Sequence, residues 1–504
     1  MALFARISGR RAHLVLSLRA VETWFAVMRF IPVVVSLVVL AGCGAREEGP
    51  REELLAGAGA SVEKPRATFA ADTDPAAPAV TAGWLATFAD PQLDALVAEA
   101  VVGNRDLAGA GARLEQSNSR ARQAGADLGP TIGFAAEGQA TGSSSDSLST
   151  QGGAGLALSW ELDVWGRVAS GVASEQAKLQ ATALDFAWAR ESLAANVARG
   201  LFFARVCAGQ EVLGQKTLAE FERLAAIAHA KEKIGKAAAD EVARADAAAA
   251  ECKQRLTGAT AAREEAVRSL EVLLGRYPEA KLDVGSVLPV VPPQPPAGLP
   301  SQLLERRPDL VAATRRVAAA FNQVESAKAA RLPRLSITAT GGGASSEFQG
   351  INAQGAFWSL AGNLMGPIYD GGRLKEQVVI EKGKQQEALA AYAQTALQAF
   401  QQVENGLGTG ARLAQRREQL ATSLKARDQA LKAATAKRTI GQVGDDAVVA
   451  ATLDQLQTQA LDLMIQHDQL GARVSLYLAL GGGFEAPPAT PDDTAPASKA
   501  ITKP

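Results

Sequence analysis

The chain has 504 residues, 47 % of them hydrophobic, 21 % charged and 5 % aromatic. That length fills roughly two to four ordinary domains, and the composition excludes a collagen-like, disulfide-scaffold or wholly disordered protein. With 52 basic and 53 acidic side chains and three cysteines, there is no basic excess to neutralise a phosphate backbone and no disulfide framework. Nucleic acid is therefore not an expected partner.

The first element is the apolar run Phe30 to Gly42. At about a dozen residues it is shorter than the ~20 a spanning helix needs, and it reads as the core of a secretory signal over residues 1–42. It ends in Leu40-Ala41-Gly42-Cys43, small residues before a cysteine, the pattern of a bacterial lipobox. Cys43 is thus the expected lipid anchor, carrying diacylglycerol and palmitate, and the expected first residue of the mature chain. Met28-Arg29 supplies a minimal positive flank, which makes Met28 the expected start; Arg10-Arg11 as a twin-arginine signal is the alternative. Removing residues 1–42 takes away five arginines and Glu22, leaving 47 basic against 52 acidic side chains. Residues 43–80 read as a tether and 485–504 as a disordered tail, being rich in Ala, Gly, Pro and charge without a sustained period.

Between tether and tail the chain is duplicated. Asn104-Arg105-Asp106-Leu107 through Gly129-Pro130 matches Arg307-Pro308-Asp309-Leu310 through Leu332-Pro333 at an offset of 203 residues, and from Gly166-Arg167 against Gly372-Arg373 the offset becomes 206. The expected repeats are 81–288 and 301–484, joined by the Pro-rich linker 289–300. In the first repeat a helix of about 25 residues (103–127), a strand pair (131–140 and 154–164), a helix of about 62 residues (168–230), a turn at Gly235 and a helix of about 37 residues (238–274) follow one another. At ~1.5 Å rise per residue the two shorter helices together equal the long one, roughly 93 Å. This predicts two helices stacked end to end beside one. Leu453, Leu456, Ala460, Leu463, His467, Leu470 and Val474 repeat at steps of three and four, a coiled-coil seam on which His467 reads as a packing residue.

The strands alternate with period two. Leu156, Leu158, Trp160 and Leu162 are apolar, with small or polar residues between; Leu335, Ile337 and Ala339 face Ser336, Thr338 and Thr340 in the second pair, 335–341 and 355–366, where Trp358, Leu360 and Leu364 alternate with Ser359, Ala361 and Asn363. In an exported lipoprotein this fits a strand with lipid outside and water inside, with Trp160, Trp165, Trp358 and Tyr369 as an interfacial belt. Four strands cannot close a barrel in lipid, so several chains must combine, and three would give twelve.

No constellation of residues supports catalysis. Gly209 to Thr217 nearly spells a phosphate loop, but Gln215 intrudes before Lys216 within a helical pattern. There is no paired-cysteine or His-Glu-x-x-His metal motif, and neither metal nor cofactor is expected. Cys207 and Cys252 lie 28 residues before and 17 residues after Gly235, an axial mismatch of roughly 16 Å that rules out a disulfide within one hairpin.

Trp84 to Val97 with Asn104-Arg105-Asp106-Leu107, Leu162 to Arg167, Glu305 to Leu310, and Pro367 to Leu374 together resemble the outer-membrane efflux proteins, the TolC-like channels, in their lipoprotein (NodT-type) branch. The resemblance implies an α+β membrane protein: a homotrimer with a twelve-stranded β-barrel, four strands per protomer, continued by a long coiled-coil α-helical barrel. It implies a passive exit duct in the outer membrane, docked to a periplasmic adaptor and an inner-membrane RND pump, that exports drugs or other small toxic compounds. It places the closed periplasmic tips, where the adaptor docks, at Ile234-Gly235 and Ile440-Gly441. An aspartate six residues past the glycine is usual, whereas Glu241 and Ala447 stand there; Asp240, Glu241, Asp445 and Asp446 are the possible aperture acids. The alternative reading is a periplasmic adaptor or coiled-coil scaffold lipoprotein.

Overall fold

The computed structural model describes residues 68–70, 83–142, 148–298, 300–348 and 351–485. The expected signal, Cys43, the tether apart from 68–70, and the tail beyond Glu485 lie outside the described residues.

After a short 3-10 turn at Trp84–Phe88, the first repeat contains α1 (Pro91–Gly103), α2 (Arg105–Ala126), β1 (Thr131–Gly142), β2 (Leu148–Leu162), α3 (Arg167–Lys233) and α4 (Ala239–Leu273). The second contains α5 (Pro300–Arg306), α6 (Pro308–Ala329), β3 (Arg334–Phe348), β4 (Ile351–Met365), α7 (Arg373–Thr439) and α8 (Asp445–Ala479). The 67-residue helices α3 and α7 are each about 100 Å long. On the sheet side the packing order is α2, α3, α6, α7; on the other side it is α4, α3, α8, α7.

Two shorter helices therefore do stack end to end along each long one, but the junction is not a seamless continuation. The helix expected over 103–127 spans Arg105–Ala126, and Asn104 before it, with an extended backbone, ends α1 and caps α2 by accepting from Leu107 N at 2.8 Å. The same side chain donates from Nδ2 to Leu273 O at 2.9 Å, satisfying a carbonyl left over at the end of α4. Contact there is backbone on backbone. A Cβ on Gly103 would sit 2.3 Å from Leu274 O, and one on Gly275, whose φ is +79°, would sit 2.2 Å from Gly103 O. In the second repeat Arg307 takes the place of Asn104. Its guanidinium donates to Ala479 O at the end of α8 (3.1 Å), to Gln402 on α7 (2.8 Å) and to Asp309 (3.0 and 2.7 Å), and lies over the Trp188 ring.

The main core surrounds the first junction, near the middle of the long helices. Trp84 stacks on Tyr477 with ring centroids 5.9 Å apart, and Phe88 packs against Phe202 at 5.4 Å. Asp90 caps α1 through the amides of Gln92 and Leu93, with Pro91 at the first helical position. The same carboxylate pairs with the buried Arg205 of α3, whose guanidinium also donates to Val284 O and Gln92. Glu271, equally buried, accepts from the amides of Ala280, Lys281 and Leu282. Although burial opposes ionisation, these backbone donors hold its carboxyl below the usual range. A second core beside α7 takes in Phe69, whose neighbour Ala70 donates from its amide to Glu404.

The strands form one antiparallel sheet in the order β1-β2-β3-β4. They run further outward than the alternating segments of the sequence, because the glycine- and serine-rich stretches around Gly152 and Gly343 also pair. β2 ends at Leu162, so Val164 and Trp165 lie in the turn into α3. There the Trp165 indole donates to Pro333 O at 2.7 Å, binding the first strand pair to the start of the second.

Removing Asp90 would strand a buried guanidinium, which costs about 3–5 kcal/mol. Asp90→Ala is expected to lose that much in denaturant unfolding. The double variant Asp90→Ala, Arg205→Met is expected to recover most of it; equal losses in single and double variants would show that the pair is not what matters.

Candidate functional site

The site begins with the faces of the sheet. Residues directly opposite in register share a face, so the rows Ile132–Leu158–Ala339–Leu360, Trp160–Ile337–Gly362, and Phe134–Leu156–Gly341–Trp358 belong to one side. That side is apolar and uncovered: Phe134 is 72 % and Trp358 78 % exposed. The opposite side carries Thr131–Ser159–Thr338–Ala361 and Gly133–Ala157–Thr340–Ser359. Its polar groups bond to one another, Thr340 to Ser359 at 2.6 Å and Asn363 to Thr338 at 3.2 Å. One face suits hydrocarbon and the other water. Among the described residues, β1 and β4 each keep one edge that no strand pairs. Among the described residues no helix is long and apolar enough to cross a membrane.

At the other end of the long helices lie the two tips. α3 ends in a Schellman motif, with Lys236 N donating to Lys231 O and Gly235 N to Glu232 O, both at 2.8 Å. Gln442 N to Lys437 O and Gly441 N to Arg438 O, both at 2.9 Å, repeat it after α7. The fifth position of this motif needs a left-handed backbone, and Gly235 and Gly441 supply it at φ +68° and +73°. Ile234 and Ile440 just before them are 65 % and 68 % exposed, so each tip presents an isoleucine to solvent.

The acidic candidates divide into two kinds. Asp445 and Asp446 begin α8 and are held by cations from the first hairpin. Lys231 donates to Asp446 at 3.0 Å and Arg223 to Asp445 at 3.3 Å, while Arg438 pairs with Asp445 from its own hairpin. The Lys231 ammonium holds the Asp446 carboxyl below the ordinary aspartate range. Asp240 and Glu241 are exposed in the first turn of α4, Asp240 facing Arg244 at 2.8 Å. The four acids thus do not form one uncompensated set: two of them link hairpin to hairpin. Sequence reasoning missed the cations, since Lys231 and Arg223 lie 215 and 222 residues from their partners. The available signal was Lys231 and Arg438 in the last turns of their helices, where cations suit the dipole.

The remaining candidates are structural. His467 packs beside the Phe203 ring and approaches Asp468 at 3.2 Å. Gly209 to Thr217 lies inside α3. Cys207 and Cys252 are free and buried, and burial pushes the Cys207 thiol up. Among the described residues no three His, Cys, Asp or Glu side chains are grouped to hold a metal ion.

Comparison with known proteins agrees with this geometry. The family model for outer membrane efflux proteins matches residues 96–276 and again 299–482. The chain is 30 % identical to the pyoverdine export outer membrane protein OpmQ of Pseudomonas putida, covering 80 % of this chain and 88 % of that one. It is 29 % identical to the toluene efflux pump outer membrane protein TtgC of Pseudomonas putida, covering 80 % and 85 %. The open-state MtrE outer membrane channel of Neisseria gonorrhoeae superposes with a TM-score of 0.75 at 28 % identity, over 84 % of this chain and 96 % of that one. The chain belongs to the outer membrane efflux protein family, whose members are channels and not enzymes.

Proposed function

We propose that three copies of this chain close a twelve-stranded barrel in the outer membrane, and that the assembly is the passive exit duct of a tripartite efflux system. The observation that carries this reading is the four-stranded amphipathic sheet with both edges unpaired. In hydrocarbon every backbone group needs a partner, so β4 of one copy must meet β1 of the next. The helices support the same join: α7 stands on one flank of the protomer and α2 and α4 on the other, a head-to-tail contact that closes as a ring. A scaffold or adaptor lipoprotein has no use for such a sheet.

Cys43 attaches lipid at the same membrane, and the Ile234-Gly235 and Ile440-Gly441 tips meet the periplasmic adaptor, behind which stands the inner-membrane RND pump. The pairs Lys231–Asp446 and Arg223–Asp445 latch the two hairpins of a protomer together at that end. Relatives named for pyoverdine and for toluene are 30 % and 29 % identical to this chain over 80 % of it, which supports a common duct with cargo chosen at the pump.

The latch has a pH signature. A carboxyl lowered by its partner stabilises at pH above the ordinary aspartate value of ~3.9 and loses that contribution as pH falls through its own lower value. The protection of amides around residues 231–236 and 442–446, measured against their intrinsic exchange rate at each pH, is expected to hold at neutral pH and to fall only below about pH 4. Lys231→Ala is expected to lower it at neutral pH while leaving the sheet protected; unaltered protection at the tips would remove the latch.

Export is tested at the glycines. A β-branched residue in the left-handed region costs about 1–3 kcal/mol, so Gly235→Val with Gly441→Val should abolish drug resistance in a host lacking its own channel. The trimer should remain in the outer membrane, resistant to salt and alkali extraction. Full resistance in that variant would take the tips out of the mechanism.

A further inference from the structure

Through its central rows the water-facing side of the sheet is small or polar with one exception, the same register set taking in Phe348 and Ile351 only in the outermost row and Met365 in the innermost. Over the five rows from Thr131 to Gln139, it presents Thr, Gly, Ala, Glu and Gln on β1. On β2 the five are Ser159, Ala157, Gly155, Gly153 and Gln151; on β3 the same rows give Thr338, Thr340, Gly342, Ala344 and Ser346, and on β4 Ala361, Ser359, Phe357, Gly355 and Ala353. Phe357 is the one large apolar side chain among these twenty positions. Its neighbours on that face are Gly355 and Ser359 along the strand and Gly342 across it, so no side chain of comparable size holds the ring. It remains 45 % exposed. Trp358, on the lipid side of the same strand, has only Ala356, Gln354 and Asn352 beyond it, so this residue pair marks the outer border of the apolar face.

Resting on the trimeric reading, we propose that three Phe357 rings, brought to one height by the three-fold axis, form an aromatic collar inside the outer mouth of the barrel. A ring of apolar side chains in a water-filled duct narrows it and disfavours small hydrated ions locally. It also gives apolar or aromatic cargo a non-polar contact in an otherwise polar wall. Beside the ring, Gly155 and Gly342 meet backbone on backbone, a Cβ on Gly342 falling 2.3 Å from Ala154 O, so no side chain from β2 or β3 fills the mouth at this height. The competing arrangement is a ring laid flat on Gly342, which would cover a weak strand position and leave the lumen wide.

A cysteine scan separates the two. Phe357→Cys and Trp358→Cys are made singly in the full chain, in a host whose drug resistance depends on it; Cys207 and Cys252 are buried and stay silent. Intact cells are treated from outside with a small or a bulky water-soluble maleimide. Phe357→Cys is expected to react with both, and the bulky adduct alone should restore drug sensitivity; Trp358→Cys, facing lipid, should react slowly or not at all. Phe357→Ala should raise the largest size of fluorescent cargo exported. Resistance before labelling establishes the duct separately from the collar. The collar is overturned if the bulky adduct leaves resistance unchanged, if Trp358→Cys is the reactive one, or if Phe357→Ala leaves the size limit where it was.

Discussion

The pairing of backbone hydrogen bonds is the constraint from which the rest of the architecture follows. A four-stranded sheet with a lipid-compatible face and two open edges is not a finished object in a bilayer, where an unpaired amide or carbonyl costs several kcal/mol. Among the described residues Glu137 is the one charge along these edges, and the chain does not shorten them. It leaves β1 and β4 long, twelve and fifteen residues. Edges of that kind are a liability in a monomer and a binding surface in an assembly. The duplicated sequence supplies two similar hairpins that pair side by side as one sheet.

The helices solve a second problem, which is to continue a sheet as a helical wall. The two long helices α3 and α7 cross the whole length, while the shorter ones meet end to end beside them. At each meeting a helix C-terminus is buried against a helix N-terminus, which would leave carbonyls and amides unsatisfied. Asn104 answers this in the first repeat with one amide that both caps α2 and donates to Leu273 O. Arg307 answers it in the second by reaching Ala479 O. The two solutions differ in chemistry and agree in position, as duplicated units do once each has drifted.

Much of this was legible in the sequence because its signals are local. The alternation of Leu156 to Leu162, the Ile-Gly turns and the Asp-Leu repeat are patterns within a few residues. The outer halves of the strands were not legible, since glycine and serine runs such as Gly341 to Ser346 have low strand propensity and pair only because a closed sheet demands it. Helix α1 was not legible either, since only the cap at Asn104 separates it from α2. The ion pairs at the tips were out of reach for a different reason: Lys231 and Asp446 are brought together by α3 lying beside α8, a relation between the repeats and not within either. Phe357 breaks the alternation of its strand, falling in the odd-numbered set with Ser359, Ala361 and Asn363, and the register places it on the polar side.

Each protomer is an incomplete wall that identical copies must finish. Native mass spectrometry of the protein extracted from outer membranes in mild detergent measures this most directly. It predicts a single assembly of three chains that persists on dilution. A stable monomer, or an assembly of any other number, would contradict it.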